Sequence, residues 1–158
     1  MDRHIPPPTE RTLYTIGYES RGQRGLLEKL KASYIEAVCD VRQLPLSRVP
    51  GLSKTALSAA LGEEDIAYHH YRDLGNPKEN RAGYQDPTLR SASREEFTKL
   101  LTSHSPRVAA LHELAAVVVA SRSALLCYEA DPECCHRRDV AAAVMDLVPG
   151  LTVVNLHW

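Results

Sequence analysis

Apolar positions along this chain follow two patterns that take turns. Five short β-favouring runs, "LYTIGY" (13–18), "EAVCDVR" (36–42), "IAYHHYRD" (66–73), "ALLCYEA" (124–130) and "TVVNLHW" (152–158), read as strands. Between them, apolar residues recur at helical spacing. Leu26, Leu27 and Leu30 mark one helix face, and Ser53 caps a second helix presenting Leu57, Ala60 and Leu61 before Gly62 ends it. Phe97, Leu100 and Leu101 mark a third helix. A restart at Ser105-Pro106 opens a fourth with Val108, Leu111, Leu114, Ala115 and Val118. A last helix follows Asp131-Pro132 and carries Val140, Val144, Leu147 and Val148. Strands alternating with amphipathic helices predict an α/β fold: a single three-layer, Rossmann-like domain whose mostly parallel sheet of about five strands has helices on both faces. Right-handed crossovers suggest the strand order 3-2-1-4-5.

Two segments stand outside the alternation. Residues 1–12, with prolines at 6 to 8, predict an extended N-terminal tail, leaving 13–158 as the domain. Residues 74–93 are polar and rich in glycine and proline, which predicts a long binding loop or lid.

The chain has 158 residues, enough for one substantial core, with 44% hydrophobic and 25% charged residues as in ordinary globular domains. A net charge of -1 argues against bulk-charge coating of DNA or membrane, so an anionic partner would be met by a local patch. No apolar run is long enough for a membrane span and no signal peptide precedes the domain, so a cytoplasmic protein is expected. Cys39, Cys127, Cys134 and Cys135 are then expected to be reduced thiols.

Ligands of open parallel sheets bind beyond the carboxyl ends of the strands. Here those ends carry Gly17-Tyr18-Glu19, Asp40-Val41-Arg42, Tyr71-Arg72-Asp73 and Cys127-Tyr128-Glu129. A helix starting just after the fourth strand would aim its N-terminus at this rim, with Cys134, Cys135, His136 and Arg137 in or just after its first turn. Such a terminus favours an anion or a thiolate. Asp40 reads as a general acid or base, as an orienter of a hydroxyl, or as the partner of Arg42 in a structural ion pair. With Glu129 it would form a pair of carboxylates of the kind that cleaves glycosidic bonds. Arg42, Arg48 and Arg137 are candidate anion clamps, and Tyr84 a candidate stacking platform. No metal is expected: Cys127, Cys134, Cys135 and His136 lack paired C-x2-C spacing, and adjacent Cys135 and His136 would diverge on a helix. His69 and His70 alternate across a strand and do not chelate together.

"YTIGYES", "EAVCDVRQLPLSRVPGLSK", "IAYHHYRDLGNP", "GYQ" followed by "EEF", and "LLCYEADPECCHR" together resemble, in that order, the motifs of the domain of unknown function 488 family. The resemblance runs from about Leu13 to Trp158. It implies that the family pattern falls on Thr15, Ile16, Gly17, Asp40, Val41, Arg42, Pro45, Ser47, Arg48, Leu74, Gly75, Tyr84, Phe97, Cys127, Glu129, Cys135, His136 and Arg137, and leaves Cys134 free. Two departures are Gly75-Asn76, where the pattern has a glycine pair, and the helix break at Ser105-Pro106. The resemblance implies a map of the site and no reaction.

Together these readings lead to an expected enzyme, a hydrolase or transferase, acting on an anionic small molecule or nucleic-acid component at the rim. Asp40, Glu129, Cys135 and His136 are the candidate catalytic residues. Gly17, Tyr18, Arg42, Ser47, Arg48, Tyr84, Cys127 and Arg137 are the candidate binding residues. The motifs name no cofactor. Two alternatives stand beside this: a thiol redox protein using Cys127 and Cys135, and a non-catalytic module that binds nucleic acid or another ligand.

Overall fold

All five predicted strands are present in the computed structural model, which describes residues 11–158. They are β1 (Arg11–Gly17), β2 (Ala37–Asp40), β3 (Ala67–His70), β4 (Ser123–Cys127) and β5 (Leu151–Asn155). The helices are α1 (Gln23–Ala32), α2 (Lys54–Glu63), α3 (Lys78–Gln85), α4 (Arg90–Ser103), α5 (Ser105–Ala120) and α6 (Arg137–Leu147). The expected tail at residues 1–10 lies outside the described residues. Arg11 and Thr12, expected to belong to it, pair with Leu151 and Thr152 as the first residues of β1.

Every strand pair is parallel, and the order across the sheet is β3-β2-β4-β1-β5. The expected order placed β1 beside β2; instead β4 separates them. Both orders obey right-handed crossovers, so handedness could not decide between them. β3 and β5 are the edges in both orders; in the observed one the two fully buried strands, β2 and β4, lie side by side.

Side-chain alternation sorts the core into two halves, as period-2 strands dictate. Val38, Ala124, Leu126 and Ile16 pack under α1 and α2 with Leu26, Leu30, Leu57 and Leu61. Leu13, Cys39, Leu125 and Cys127 pack on the other face with Tyr84 of α3, Phe97 of α4, Leu111 of α5 and Val140 and Val144 of α6. The chain is thus a single α/β domain of three layers, Rossmann-like in arrangement.

The segment 74–93 is not a long loop. A 3-10 turn at Arg72–Leu74 leads through Pro77 into α3, and α4 begins at Arg90. The two helices pack closely at Gly83, where a Cβ would lie 1.7 Å from Ser93 Oγ. Glycine and proline there serve a tight helical hairpin.

The last helix also starts later than expected. Asp131 caps only a 3-10 turn, Pro132–Cys134, by accepting from Glu133 N. Cys135 is extended (φ -132, ψ 140), and α6 opens at Arg137. Ser53 likewise precedes α2 without capping it through its side chain; its hydroxyl bridges the backbone N-H and carbonyl of Ser47 and ties the β2–α2 loop. Among the described residues, no helix is long and apolar enough to cross a membrane.

Candidate functional site

Backbone pairing continues past the strand ends, Tyr18 N to Cys127 O at 3.3 Å and Val41 N to Leu126 O at 3.1 Å, so the carboxyl ends of β1, β4 and β2 form one rim. A cleft of about 440 Å³ opens there. Its walls are the β2–α2 loop from Gln43 to Val49, the segment from Asn76 to Tyr84, and the end of β4 with Cys134 and His136. Tyr18, Arg42, Ser47, Arg48, Tyr84, Cys127, Glu129 and His136 line it, as expected. Gly17, Asp40, Cys135 and Arg137 lie behind that lining.

Asp40 is sealed. Its register partner Leu126 packs under α1 and α2, so Asp40 and Cys127 project from opposite faces of the sheet. Arg42 grips the carboxylate through Nε at 2.9 Å and Nη2 at 2.7 Å, and the Tyr68 hydroxyl donates to it at 2.5 Å. The remaining guanidinium nitrogen of Arg42 donates to Tyr18 Oη at 3.0 Å and Leu52 O at 2.8 Å. Burial would lower the Arg42 pKa, but the Asp40 carboxylate more than offsets this and raises it. With Asp40 fully buried and every guanidinium nitrogen of Arg42 engaged, the pair welds β2 to the β2–α2 loop. It is the ion-pair alternative that the geometry realises, and no carboxylate pair with Glu129 forms.

Arg137 is also fully buried. Its Nε donates to Thr15 Oγ1 at 3.3 Å, one terminal nitrogen to the Glu129 carbonyl, and the other to the Ala130 carbonyl at 3.2 Å. Each of its three nitrogens donates to the chain itself, so the guanidinium fixes the turn that presents Glu129. Gly17 leaves room for that turn: a Cβ there would fall 1.7 Å from the Glu129 carbonyl oxygen.

On the α6 side of the sheet three donor atoms converge. His136 Nδ1 lies 3.8 Å from Cys127 Sγ and 3.9 Å from Cys135 Sγ. Its other nitrogen, Nε2, donates to the Val41 carbonyl at 2.7 Å, and Phe97 packs edge-on against the ring at 5.4 Å. In the neutral ring the proton on Nε2 leaves the lone pair of Nδ1 facing the two sulfurs; burial would lower the His136 pKa, but its bond to Cys135 raises it, and in the charged ring Nδ1 carries a proton that it donates to Cys135. Cys135 Sγ also accepts the Arg137 N-H at 3.5 Å. Burial opposes a Cys135 thiolate, but hydrogen bonds from Cys127 and His136, with the charges of His136 and Arg137, prevail and hold the thiol well below its ordinary value. Its hydrogen bond to Cys135, then burial, pushes Cys127 up. Glu129 Oε2 lies 3.6 Å from Cys127 Sγ, and burial, with the nearby Cys135 charge, lifts the Glu129 carboxyl to about 7.

The cations left for a ligand are Arg48 and Arg81, both exposed on the cleft wall. Arg81 is steadied by bonds to Asn76 O at 2.9 Å and Gln43 Oε1 at 3.0 Å. Tyr84 borders the cleft but is buried, its hydroxyl committed to Asp139 at 2.7 Å and Arg94 lying over its ring. Ser47 lines the wall, but its hydroxyl accepts from Val49 N at 3.1 Å and closes a local turn. Sequence reasoning missed Asn76, Gln43, Leu44, Leu46 and Tyr128. Leu44 and Leu46 carried a signal, two apolar residues within the polar "RQLPLSR"; they stand 56% and 72% exposed at the cleft mouth.

The sequence profile of a family described as domain of unknown function DUF488 matches residues 23–144. No curated protein and no solved structure matches the chain.

Proposed function

Since the chain belongs to the domain of unknown function DUF488 family, a membership that fixes no reaction, we propose from the site alone that it is a hydrolase or transferase acting on an anionic, nucleotide-like ligand held in the rim cleft. The observation that carries this reading is convergence: Glu129, Cys127 and His136 share one wall of a concave site whose other walls bring Arg48 and Arg81. In this reading Arg48 and Arg81 meet the anionic group, and Tyr128, exposed at the cleft, meets a planar ring. Glu129, facing the cleft from the turn held by Arg137, exchanges a proton with the reacting group. Asp40, Arg42, Arg137 and Gly17 act as positioning residues.

Calorimetric titration with AMP, ADP, ATP and pyrophosphate tests the binding half. At least one should bind the wild type, and Arg48→Met with Arg81→Met should weaken it at least tenfold without altering the fold. Product analysis by chromatography then tests turnover, which Glu129→Gln should abolish while binding persists. Absence of binding by every probe, or binding indifferent to both arginine replacements, would overturn the reading.

A second reading has its own observation, the mutual closeness of the Cys127 and Cys135 sulfurs within 4.8 Å, which suits a dithiol–disulfide couple. A measurable redox midpoint that disappears in Cys127→Ser would favour it.

A further inference from the structure

The donor cluster beneath the cleft supports an assignment independent of the nucleotide reading. Cys127 Sγ, Cys135 Sγ and His136 Nδ1 all lie within 4.8 Å of one another, and all three residues are buried. Two of the three separations are 3.8 and 3.9 Å. A tetrahedral ion with metal–sulfur bonds of ~2.3 Å and a metal–nitrogen bond of ~2.05 Å requires edges of ~3.8 Å between sulfurs and ~3.5 Å between sulfur and nitrogen. The two sulfur–nitrogen edges need to contract by only a few tenths of an ångström, and the sulfur–sulfur edge, which lies within 4.8 Å, by at most about 1 Å. We propose that Cys127, Cys135 and His136 form a three-ligand site for one borderline-soft divalent cation of the zinc class, with its fourth position open to the cleft.

The surroundings are those of a ligand set already oriented. The Val41 carbonyl holds the Nε2 proton of His136 at 2.7 Å, so the nitrogen turned toward the sulfurs is the one able to coordinate. The Arg137 N-H points at Cys135 Sγ, and its buried guanidinium places a positive charge beside a dithiolate. Cys127 and His136 also line the cleft, which provides an entry path for the ion and a vacant coordination direction for water or substrate. Glu129 Oε2, 3.6 Å from Cys127 Sγ, falls outside the mutually close set and sits where it can accept a proton from whatever occupies that direction. Two thiolates and an imidazole favour zinc or cobalt over magnesium or calcium. The expectation of no metal rested on the lack of paired C-x2-C spacing and on Cys135 and His136 diverging along a helix. Because Cys135 is extended and α6 starts only at Arg137, the two side chains meet.

The test is cobalt titration of the full-length chain after treatment with a chelator and a thiol reductant. Wild type should develop the visible bands of tetrahedral Co²⁺ and a near-ultraviolet thiolate-to-cobalt band, saturating at one equivalent and bleached by Zn²⁺. Cys134→Ser should behave identically, since Cys134 stands outside the cluster. Cys127→Ser and His136→Gln should each weaken cobalt binding at least tenfold. As these last two could fail to fold, a measurement on wild type stands beside them: its thermal midpoint should rise with equimolar Zn²⁺ and stay fixed with Mg²⁺. Wild type without cobalt bands, or bands lost in Cys134→Ser, or a midpoint indifferent to zinc, overturns the site. Cobalt bands without binding of any nucleotide probe would leave the metal site standing and remove the nucleotide reading; nucleotide binding by protein that shows no cobalt bands would do the reverse.

Discussion

Replacing Asp40 by asparagine separates a structural ion pair from a catalytic carboxylate. Asparagine keeps the shape of the side chain and one accepting oxygen, but puts an NH2 group in place of one of the two oxygens to which Arg42 now donates at 2.9 and 2.7 Å. The Arg42 charge, only 6% exposed, then faces a donor where it had a counter-ion. Breaking a buried pair by removing one partner costs about 3 to 5 kcal/mol, because the surviving charge stays buried. The lower end is expected here, since Tyr18 Oη and Leu52 O still receive the third guanidinium nitrogen. With a urea dependence of about 2 kcal/mol/M for a domain of this size, the unfolding midpoint should fall by about 1.5 M. Equilibrium unfolding followed by far-ultraviolet circular dichroism reads this directly. Arg42→Met strands the carboxylate in turn, and the double variant should lose clearly less than the two singles together, because neither charge is then left alone. A midpoint shift below about 0.4 M, with additive single effects, would mean that Arg42 does not depend on Asp40 and would return Asp40 to the list of free carboxylates.

Three other outcomes follow from the same geometry. Gly17→Ala should lower stability by about 1 to 3 kcal/mol, as overpacking does, because its Cβ would sit 1.7 Å from the Glu129 carbonyl oxygen; the urea midpoint reads it. Arg137→Lys should cost about 2 to 4 kcal/mol in the same assay, since one ammonium group cannot serve Thr15 Oγ1 and the carbonyls of Glu129 and Ala130 together. Stability should decline at alkaline pH partly through Cys39, whose thiol burial pushes up from 9.0 to about 12. Above pH 9 the unfolded chain releases this proton and the folded one does not, so unfolding gains about 1.4 kcal/mol per pH unit until about pH 12. Cys39→Ala should flatten the fall of stability with pH by that slope, measured by urea unfolding at a series of pH values between 9 and 11.

The strands were legible because β-branched and aromatic runs have few other uses, yet each was read too long at its carboxyl end. "VR", "YRD" and "YEA" continue the runs in sequence beyond the regular strands β2, β3 and β4, which end at Asp40, His70 and Cys127. The overhangs of β2 and β4 supply Arg42, Tyr128 and Glu129 to the cleft. Strand order was not legible, because β2, β1 and β4 are interior in both orders. The first helix of the hairpin at 78–103 was hidden because Pro77 and Gly83, loop formers by propensity, here serve a helix start and a helix contact. Of the cleft, the location at the rim and half of the lining residues could be read from the sequence. The facing of each side chain could not, because it depends on register: only the pairing of Asp40 with Leu126 reveals that Asp40 and Cys127 leave the sheet on opposite sides.

The arginines were misread for a reason that bears on how this site is built. A guanidinium forks as readily onto backbone carbonyls as onto a carboxylate or phosphate, so sequence position at a rim cannot tell a ligand clamp from a structural rivet. Burial can. Arg42 and Arg137 are enclosed with every guanidinium nitrogen engaged by the fold, whereas Arg48 and Arg81 are exposed on the cleft wall. The chain therefore uses its two enclosed cations to hold Asp40 on one face of the sheet and the Glu129 turn with Cys135 on the other; in the function proposed above, recognition of an anion falls to surface charges. Enclosed charges act at short range in a medium that screens them little, while exposed ones are screened by salt. Salt should accordingly weaken ligand capture at this cleft while leaving the geometry of the Cys127, Cys135 and His136 cluster unchanged.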